Sequence, residues 1–288
     1  MQLSQHFLGN QLAQKHLSNL RSSNNVPQAL LFSEPEGVGK ATLAKAFAKA
    51  ILQSTKQDHP DLSILTPEGK SLTHPIENIR TLIDDLALPP YEATRKIVLI
   101  EDAERMLPYA ANALLKILEE PPVYGHLILT SSHPDKLLPT ILSRCTEIPF
   151  QPLSKADILT YLSSHSNRTD LDQLATLSQG SLSRAQKLLE GTLDPTPIID
   201  FITHGTPLDG DPEELLPLLH YWYRDLHLLH AGGNPDHLFY KDHIDLLHSQ
   251  LQKTLPPLEE LHTRLIDALE ASTRGIKLKT TSSLLKDS

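Results

Sequence analysis

The stretch from Ala29 to Leu52 restricts this chain more than any other. Ala29-Leu30-Leu31-Phe32 is a short apolar run suited to a buried strand; a glycine-bearing loop, Ser33 to Gly39, follows; then come Lys40 and a segment from Leu43 to Leu52 of helical character. Strand, loop, lysine and helix in that order predict an α/β domain with a parallel sheet. The backbone N–H groups of such a loop and the N-terminus of the helix behind it cradle phosphate, and the lysine reaches the outer phosphate oxygens. The phosphate-loop pattern GxxxxGK[ST] fails here at two of its four fixed positions. Glu34 stands where the first glycine belongs, and Ala41 stands where the hydroxyl that ligates Mg²⁺ belongs. Thr42 comes one residue late, about 100° further round the helix, and does not replace that hydroxyl. Gly37, Gly39, Lys40 and Thr42 are thus the candidate nucleotide contacts of a damaged loop. A structural relic is the favoured reading and no cofactor is expected. Weak ATP or ADP binding without turnover is the intermediate case, and an active ATPase binding ATP at Lys40 is the alternative.

Two further segments belong with that loop. Lys96 to Ile100 is an apolar strand that closes on Glu101 and Asp102. In phosphate-loop ATPases such a pair holds Mg²⁺ through an Asp and directs water through the other acid. Here the order is reversed, which displaces each carboxylate by roughly 1.5 Å. That is large where a 1 Å misplacement costs about a hundredfold, so capping of the following helix is the favoured role. Leu127 to Thr130 is another strand, and Ser131 and Ser132 at its end occupy a place where small hydroxyls sense phosphate; the damaged loop makes a structural role the favoured one.

Arg144 carries the main catalytic expectation. It ends a helical stretch between two strands, just before the single cysteine, Cys145, and the strand at Ile148-Pro149-Phe150. An arginine there can project from a subunit's edge toward a phosphate held next door, where such a finger is worth about 10³ to 10⁵ in rate in the best cases. Lysine lacks the planar fork and serves poorly. The plain alternative is a surface salt bridge of little consequence.

Elsewhere, a short amphipathic helix is expected around Leu12 to Leu20, and residues 53–75 read as polar loop. A helix at Pro75 to Leu86 carries the stripe Ile76, Ile79, Leu82, Ile83 and Leu86; another, Tyr109 to Glu120, is stopped by Pro121-Pro122. From Ser154, a plausible cap, the pattern is wholly helical. One helix spans Leu171 to Leu177 and ends at Gly180; the next carries Arg184 on its first turn, facing either the nucleotide of its own subunit or neighbouring acids. Residues 192–197 read as a linker, and helical segments follow at 215–229 and 246–269, with Trp222 and Tyr223 as packing residues. The expected division is 1–152 as the α/β domain, 153–192 as a small helical domain and 193–288 as an all-α domain.

Composition limits the function classes. Net charge is −9, from 26 basic and 35 acidic residues, which disfavours a protein that coats nucleic acid by itself. One cysteine excludes a disulfide framework and fits a reducing, cytoplasmic setting; the 15 histidines show no zinc spacing, so no metal is expected. No apolar run approaches a membrane span and no charged-then-apolar leader is seen.

Taken together, Gly37-Val38-Gly39-Lys40, the run from Ala111 to Pro122 (ANALLKILEEPP) and Ile141-Leu142-Ser143-Arg144-Cys145 resemble the bacterial replicative clamp-loader subunits of the AAA+ class. The resemblance covers roughly residues 1–190, and beyond them rests on helical character and Trp222-Tyr223-Arg224-Asp225-Leu226. It implies an AAA+ P-loop α/β domain, a helical lid and a helical collar that joins a hetero-pentameric ring with gamma/tau and delta subunits. That ring opens the sliding clamp and places it on primed DNA using ATP, as part of the DNA polymerase III holoenzyme. The ATP-hydrolysing gamma/tau members should show an intact loop, an Asp-Glu pair and four zinc-binding cysteines. This chain shows none of these, and the zinc module is missing around Thr55 to Asp61. The resemblance therefore implies a rather rigid, non-hydrolysing member whose Arg144 reaches the ATP of an adjacent gamma/tau subunit.

Overall fold

The structure, a computed structural model, describes residues 7–56, 58–69, 72–191, 194–251, 255–273 and 276. It divides into two compact units: the described residues up to Asp157 with Gly180–Ser183, and Ile158–Gln179 with the described residues from Arg184 onward.

The first unit is built on a five-stranded parallel sheet of order β2-β3-β4-β1-β5, with β1 Ala29–Ser33, β2 Leu62–Leu65, β3 Lys96–Ile100, β4 Gly125–Ser131 and β5 Thr146–Pro149. Its helices are α1 Gln11–Ser22, α2 Lys40–Ile51, α3 Ile76–Ala87, α4 Pro108–Glu119 and the short α5 Pro139–Leu142. Because side chains alternate across a strand, the apolar runs feed two cores. Leu30, Phe32, Ile97, Leu99, Ile128 and Ile148 face α1 and α2, where Leu17, Leu43 and Phe47 close the layer. Leu31, Val98, Ile100, Leu127 and Leu129 face α3, α4 and α5, meeting Ile79, Leu114 and Ile141. A sheet covered on both faces is what near-continuous apolar strands require.

The second unit is helical: α6 Lys155–His165 (its first turn in the first unit), α7 Leu171–Leu177, α8 Leu182–Glu190, α9 Thr196–His204, α10 Pro212–His230, α11 Ile244–Gln250 and α12 Leu258–Thr273. Trp222 is fully buried on α10 and Tyr223 nearly so, with the Tyr240 ring edge-on to Trp222, so both are packing residues as expected. Ser154 caps α6: its hydroxyl accepts from the Asp157 N–H and donates to the Asp157 carboxylate.

Three expectations need correction. Residues 53–75 are not all loop, since β2 lies within them; it is an edge strand whose Leu62, Ser63 and Ile64 stay partly or well exposed, so it lacks a buried strand's apolar signature. The helical stretch expected at 246–269 is two helices, α11 and α12, with Pro256 and Pro257 between them. The expected linker loses its last two residues to α9, which starts at Thr196; its residues 192 and 193 lie outside the described residues.

Candidate functional site

In an open parallel sheet, ligands collect at the carboxyl ends of the strands. Three of the expected segments meet there. The loop after β1 holds Glu34 to Gly39, β3 runs into Glu101 and Asp102, and β4 ends on Ser131 with Ser132 next in the chain.

Lys40 opens α2 and is buried, only 6% exposed. Its Nζ donates to the Pro35 carbonyl (2.6 Å) and to Ser132 Oγ (2.9 Å), which brings the lysine and the serine hydroxyl at the end of β4 together. Burial pulls the ammonium below its ordinary pKa, while the carboxylates of Glu104, Asp102, Glu36 and Glu34 work the other way. Asp102 shows the reverse: burial, then the neighbouring Glu104 charge, push its carboxyl up. Glu104 was not anticipated from the sequence. Its Oε1 accepts from the Ser132 N–H at 3.0 Å, and its Oε2 is buried with no hydrogen-bond partner. The signal available was position alone, three residues after Glu101 in a single 3₁₀ turn, Ala103–Arg105.

The acid pair does not act as the expected side-chain cap. Asp102 precedes that 3₁₀ turn with φ +49° and no side-chain cap bond, and its own N–H donates to Thr130 Oγ1 at 3.1 Å. Glu101 turns to α2 instead, with Lys45 Nζ 2.7 Å from its Oε1, an ion pair without hydrogen-bond alignment. Thr42 is exposed on α2.

In the phosphate loop both glycines take left-handed backbone and pack against the chain's own side chains. Gly37 and Gly39 have φ +73° and +92°, conformations that favour glycine. A Cβ on Gly37 would fall 2.1 Å from Ser181 Oγ, and one on Gly39 2.9 Å from the Phe7 ring. The Gly37 carbonyl also accepts from the Ser183 N–H at 3.1 Å. Glu34 adopts φ +34°, the left-handed region, at the position where the motif has glycine.

Arg144 lies at the other edge. β5 pairs with β1 in parallel, Leu30 opposite Thr146 and Ser33 opposite Pro149. Arg144 precedes Thr146 while the Lys40 loop follows Ser33, so the two leave opposite ends of a strand pair roughly 10 Å long. Arg144 Nη2 donates to Glu119 Oε1 (2.8 Å), and Nη1 to the Thr140 carbonyl (3.0 Å) and Ser143 Oγ (3.3 Å). Its side chain is 34% exposed and lines a cleft of about 180 Å³ with Gln28, Leu86, Ile117, Pro121 and Gly125 among others. Beside it, burial raises the Cys145 thiol to about 11, which makes it a packing group and not a reactive one. Arg184 belongs to the second unit, where Nη1 donates to the Tyr221 hydroxyl at 3.3 Å.

Residues 9–154 match the model of the family described as "DNA polymerase III, delta subunit". The chain belongs to that family. As a clamp-loader family protein it is 33% identical over 155 residues to the DNA polymerase III subunit delta' of Bacillus subtilis, a match that covers 48% of this chain and 46% of the relative. It is 34% identical over 180 residues to the delta' subunit of Pseudomonas aeruginosa, covering 56% of this chain and 55% of the relative. Over 209 residues it is 28% identical to the gamma subunit of Buchnera aphidicola subsp. Acyrthosiphon pisum, covering 64% of this chain and 58% of the relative. The match thus spans about half the length of these curated relatives. Across 93% of this chain and 97% of its own, the crystal structure of a gamma subunit-related protein from Thermotoga maritima superposes with a TM-score of 0.54 at 21% identity, a likeness of fold. The fold of this clamp-loader family protein is the AAA+ one: a parallel α/β domain followed by a helical C-terminal region. Among the described residues no group of side chains suits a metal ion, and no helix is long and apolar enough to cross a membrane.

Proposed function

We propose that this chain is the delta-prime subunit of a bacterial clamp loader, a ring member that does not hydrolyse ATP itself. In this reading it supplies Arg144 in trans to ATP held by an adjacent gamma/tau subunit. It sits with gamma/tau and delta subunits in a hetero-pentameric ring, which opens the sliding clamp and places it on primed DNA. The observation that carries the reading is the sheet register: Arg144 and the Lys40 loop leave opposite ends of the β1–β5 pair. An arginine there is badly placed to serve its own loop, which supports a role toward a neighbour's. A guanidinium that meets transition-state charge on a phosphoryl group stabilises it through its planar fork.

The loop itself fits Mg·ATP poorly. Ala41 offers no hydroxyl to a metal, Lys40 is turned onto Pro35 and Ser132, and the loop glycines pack closely against Phe7, Ser181 and Ser183. The acids around Lys40 add negative charge where polyphosphate would lie.

The test is a loader reconstituted from its subunits, with clamp- and DNA-stimulated ATP hydrolysis as the readout. Arg144→Ala is expected to slow turnover at the neighbouring site by about a hundredfold or more, and Lys40→Ala to leave the assembly's rate nearly unchanged. A comparable loss from Lys40→Ala would overturn the reading. The second reading, an active ATPase, draws support from the similarity to gamma subunits. Turnover of ATP with Mg²⁺ by the purified chain alone would favour it.

A further inference from the structure

Arg144 is held by more than its own turn. We propose that Glu119 is a positioning residue for Arg144, fixing the plane of the guanidinium so that its remaining donors face outward. This rests on the trans role proposed above. Five N–H groups ring a guanidinium; Glu119, Thr140 and Ser143 engage Arg144 through three hydrogen bonds, which leaves at least two donors for an outside acceptor.

Two of those acceptors belong to α5 and the turn after it. α5 has only four residues, so it is a weak reference frame by itself. Glu119 is different. It is the last residue of the twelve-residue α4, whose Ala110, Leu114, Ile117 and Leu118 are locked in the core, and Pro121-Pro122 fix the chain just beyond it. Glu119 ties the guanidinium to a second, longer helix of the layer packed on the sheet, beyond the link Thr140 makes through α5.

Helix stability does not account for that carboxylate. Negative charge at a helix C-terminus opposes the macrodipole, and α4 ends on Glu119 followed by Glu120. Lys116 lies in the same last turn, but it is Arg144 whose guanidinium pairs with Glu119, at 2.8 Å. The pair is partly exposed, Arg144 34% and Glu119 53%, so it orients the fork in solvent without sequestering it. A group that acts on a neighbour's phosphoryl oxygens must be held within about 0.5 Å of its working position, and this contact supplies the holding.

In the reconstituted loader, Glu119→Ala is expected to lower the kcat of clamp-stimulated ATP hydrolysis about three- to fivefold. The KM for ATP and incorporation into the complex should not move. Glu119→Gln, which keeps an acceptor oxygen at the same reach, should recover most of the rate. Glu119→Ala placed on Arg144→Ala should add nothing, because the group it positions is gone. Full activity of Glu119→Ala where Arg144→Ala is slow would overturn this role and leave the trans role standing, as would additive losses in the double variant. An Arg144→Ala loader at the wild-type rate would overturn both.

Discussion

At the carboxyl-end edge of the sheet, polar groups turn inward on one another: Lys40 onto Pro35 and Ser132, Glu104 onto the Ser132 N–H, Glu101 toward Lys45. At the amino-end edge they tie one loop to the next. Asp61 accepts from the N–H groups of Tyr91, Glu92 and Ala93 (2.5 to 2.9 Å), Arg95 Nη2 donates to Asn24 Oδ1 (2.9 Å), and Gln28 Nε2 to the Pro122 carbonyl (3.2 Å). His126 Nδ1–H reaches the Pro27 carbonyl at 3.0 Å, the Tyr124 hydroxyl the Ala87 carbonyl at 2.7 Å, and Arg144 reaches Glu119. These ties join segments that precede strands, begin β4 or end helices on the Arg144 side. The contrast teaches what each edge is for under the proposed function. A loop no longer used for nucleotide need only be closed, whereas an edge that presents a catalytic group to a neighbour must be braced.

The largest effect that sharpens this contrast is on rate. Arg144→Lys keeps the charge but loses the planar fork, so it should resemble Arg144→Ala and not the wild type in the reconstituted loader, with a loss of about a hundredfold or more at the neighbouring site. If lysine restores the rate, simple charge and not the braced fork is what the amino-end edge provides.

Next comes the brace itself. Asp61 is inaccessible to solvent, though only thinly covered, and its carboxylate accepts from the N–H groups of three consecutive residues. Asp61→Ala leaves those donors without an acceptor and should cost about 2 to 4 kcal/mol in chemical denaturation. An unchanged midpoint would mean the loop before β3 is held by its backbone alone. The Asp61 clamp stands beside Lys56 and Glu92, whose ion pair is 2.7 Å long.

The same clamp should show in the pH dependence. Burial pushes the Asp61 carboxyl up, but the N–H groups of Tyr91, Glu92 and Ala93 outweigh it and hold its pKa below the ordinary value of 3.8. A depressed folded pKa contributes stability that is fully present above the unfolded value and is lost as pH falls through the folded one. Thermal melts of wild type and Asp61→Asn should therefore differ most above about pH 5 and converge as the pH falls below about 4. A gap that stays constant down to pH 2 would show that the carboxylate's charge is not what braces the edge.

How far all this could be read from the sequence depended on whether a residue's partner lay nearby in the chain. The apolar strands β1, β3 and β4 and the loop after β1 were legible, since composition and order carry them. β2 was not, because an edge strand with only Leu65 buried looks like the polar loop around it. Arg144 stood out by its neighbours Ser143 and Cys145, yet its partner Glu119 lies 25 residues away on another helix. Glu101 was read as a local cap because nothing in the chain pointed from it to Lys45 on α2. Burial of Lys40 among four carboxylates likewise needs β1, β3 and β4 to be brought side by side.

The smallest effect tests the closed edge. Glu34 holds φ +34° without a glycine's freedom, and its N–H donates to the Ser131 carbonyl at 3.0 Å, a bond glycine would keep. Relief of a left-handed non-glycine residue is worth roughly 1 to 2 kcal/mol, against about 0.5 to 1 kcal/mol for glycine's extra freedom in the unfolded chain. Glu34→Gly should therefore stabilise the protein by up to about 1.5 kcal/mol, a rise of at most roughly 3 to 6 °C in Tm for a unit of this size. The carboxylate lost is the least of the four acting on Lys40, so it should not reverse that sign. Calorimetric titration of the same variant with Mg·ATP should stay flat, because Ala41 still lacks a hydroxyl and Phe7 and Ser181 still cover the glycines. Measurable affinity there would mean that Glu34 alone had kept nucleotide out, and that the covering of this edge is a door and not a wall.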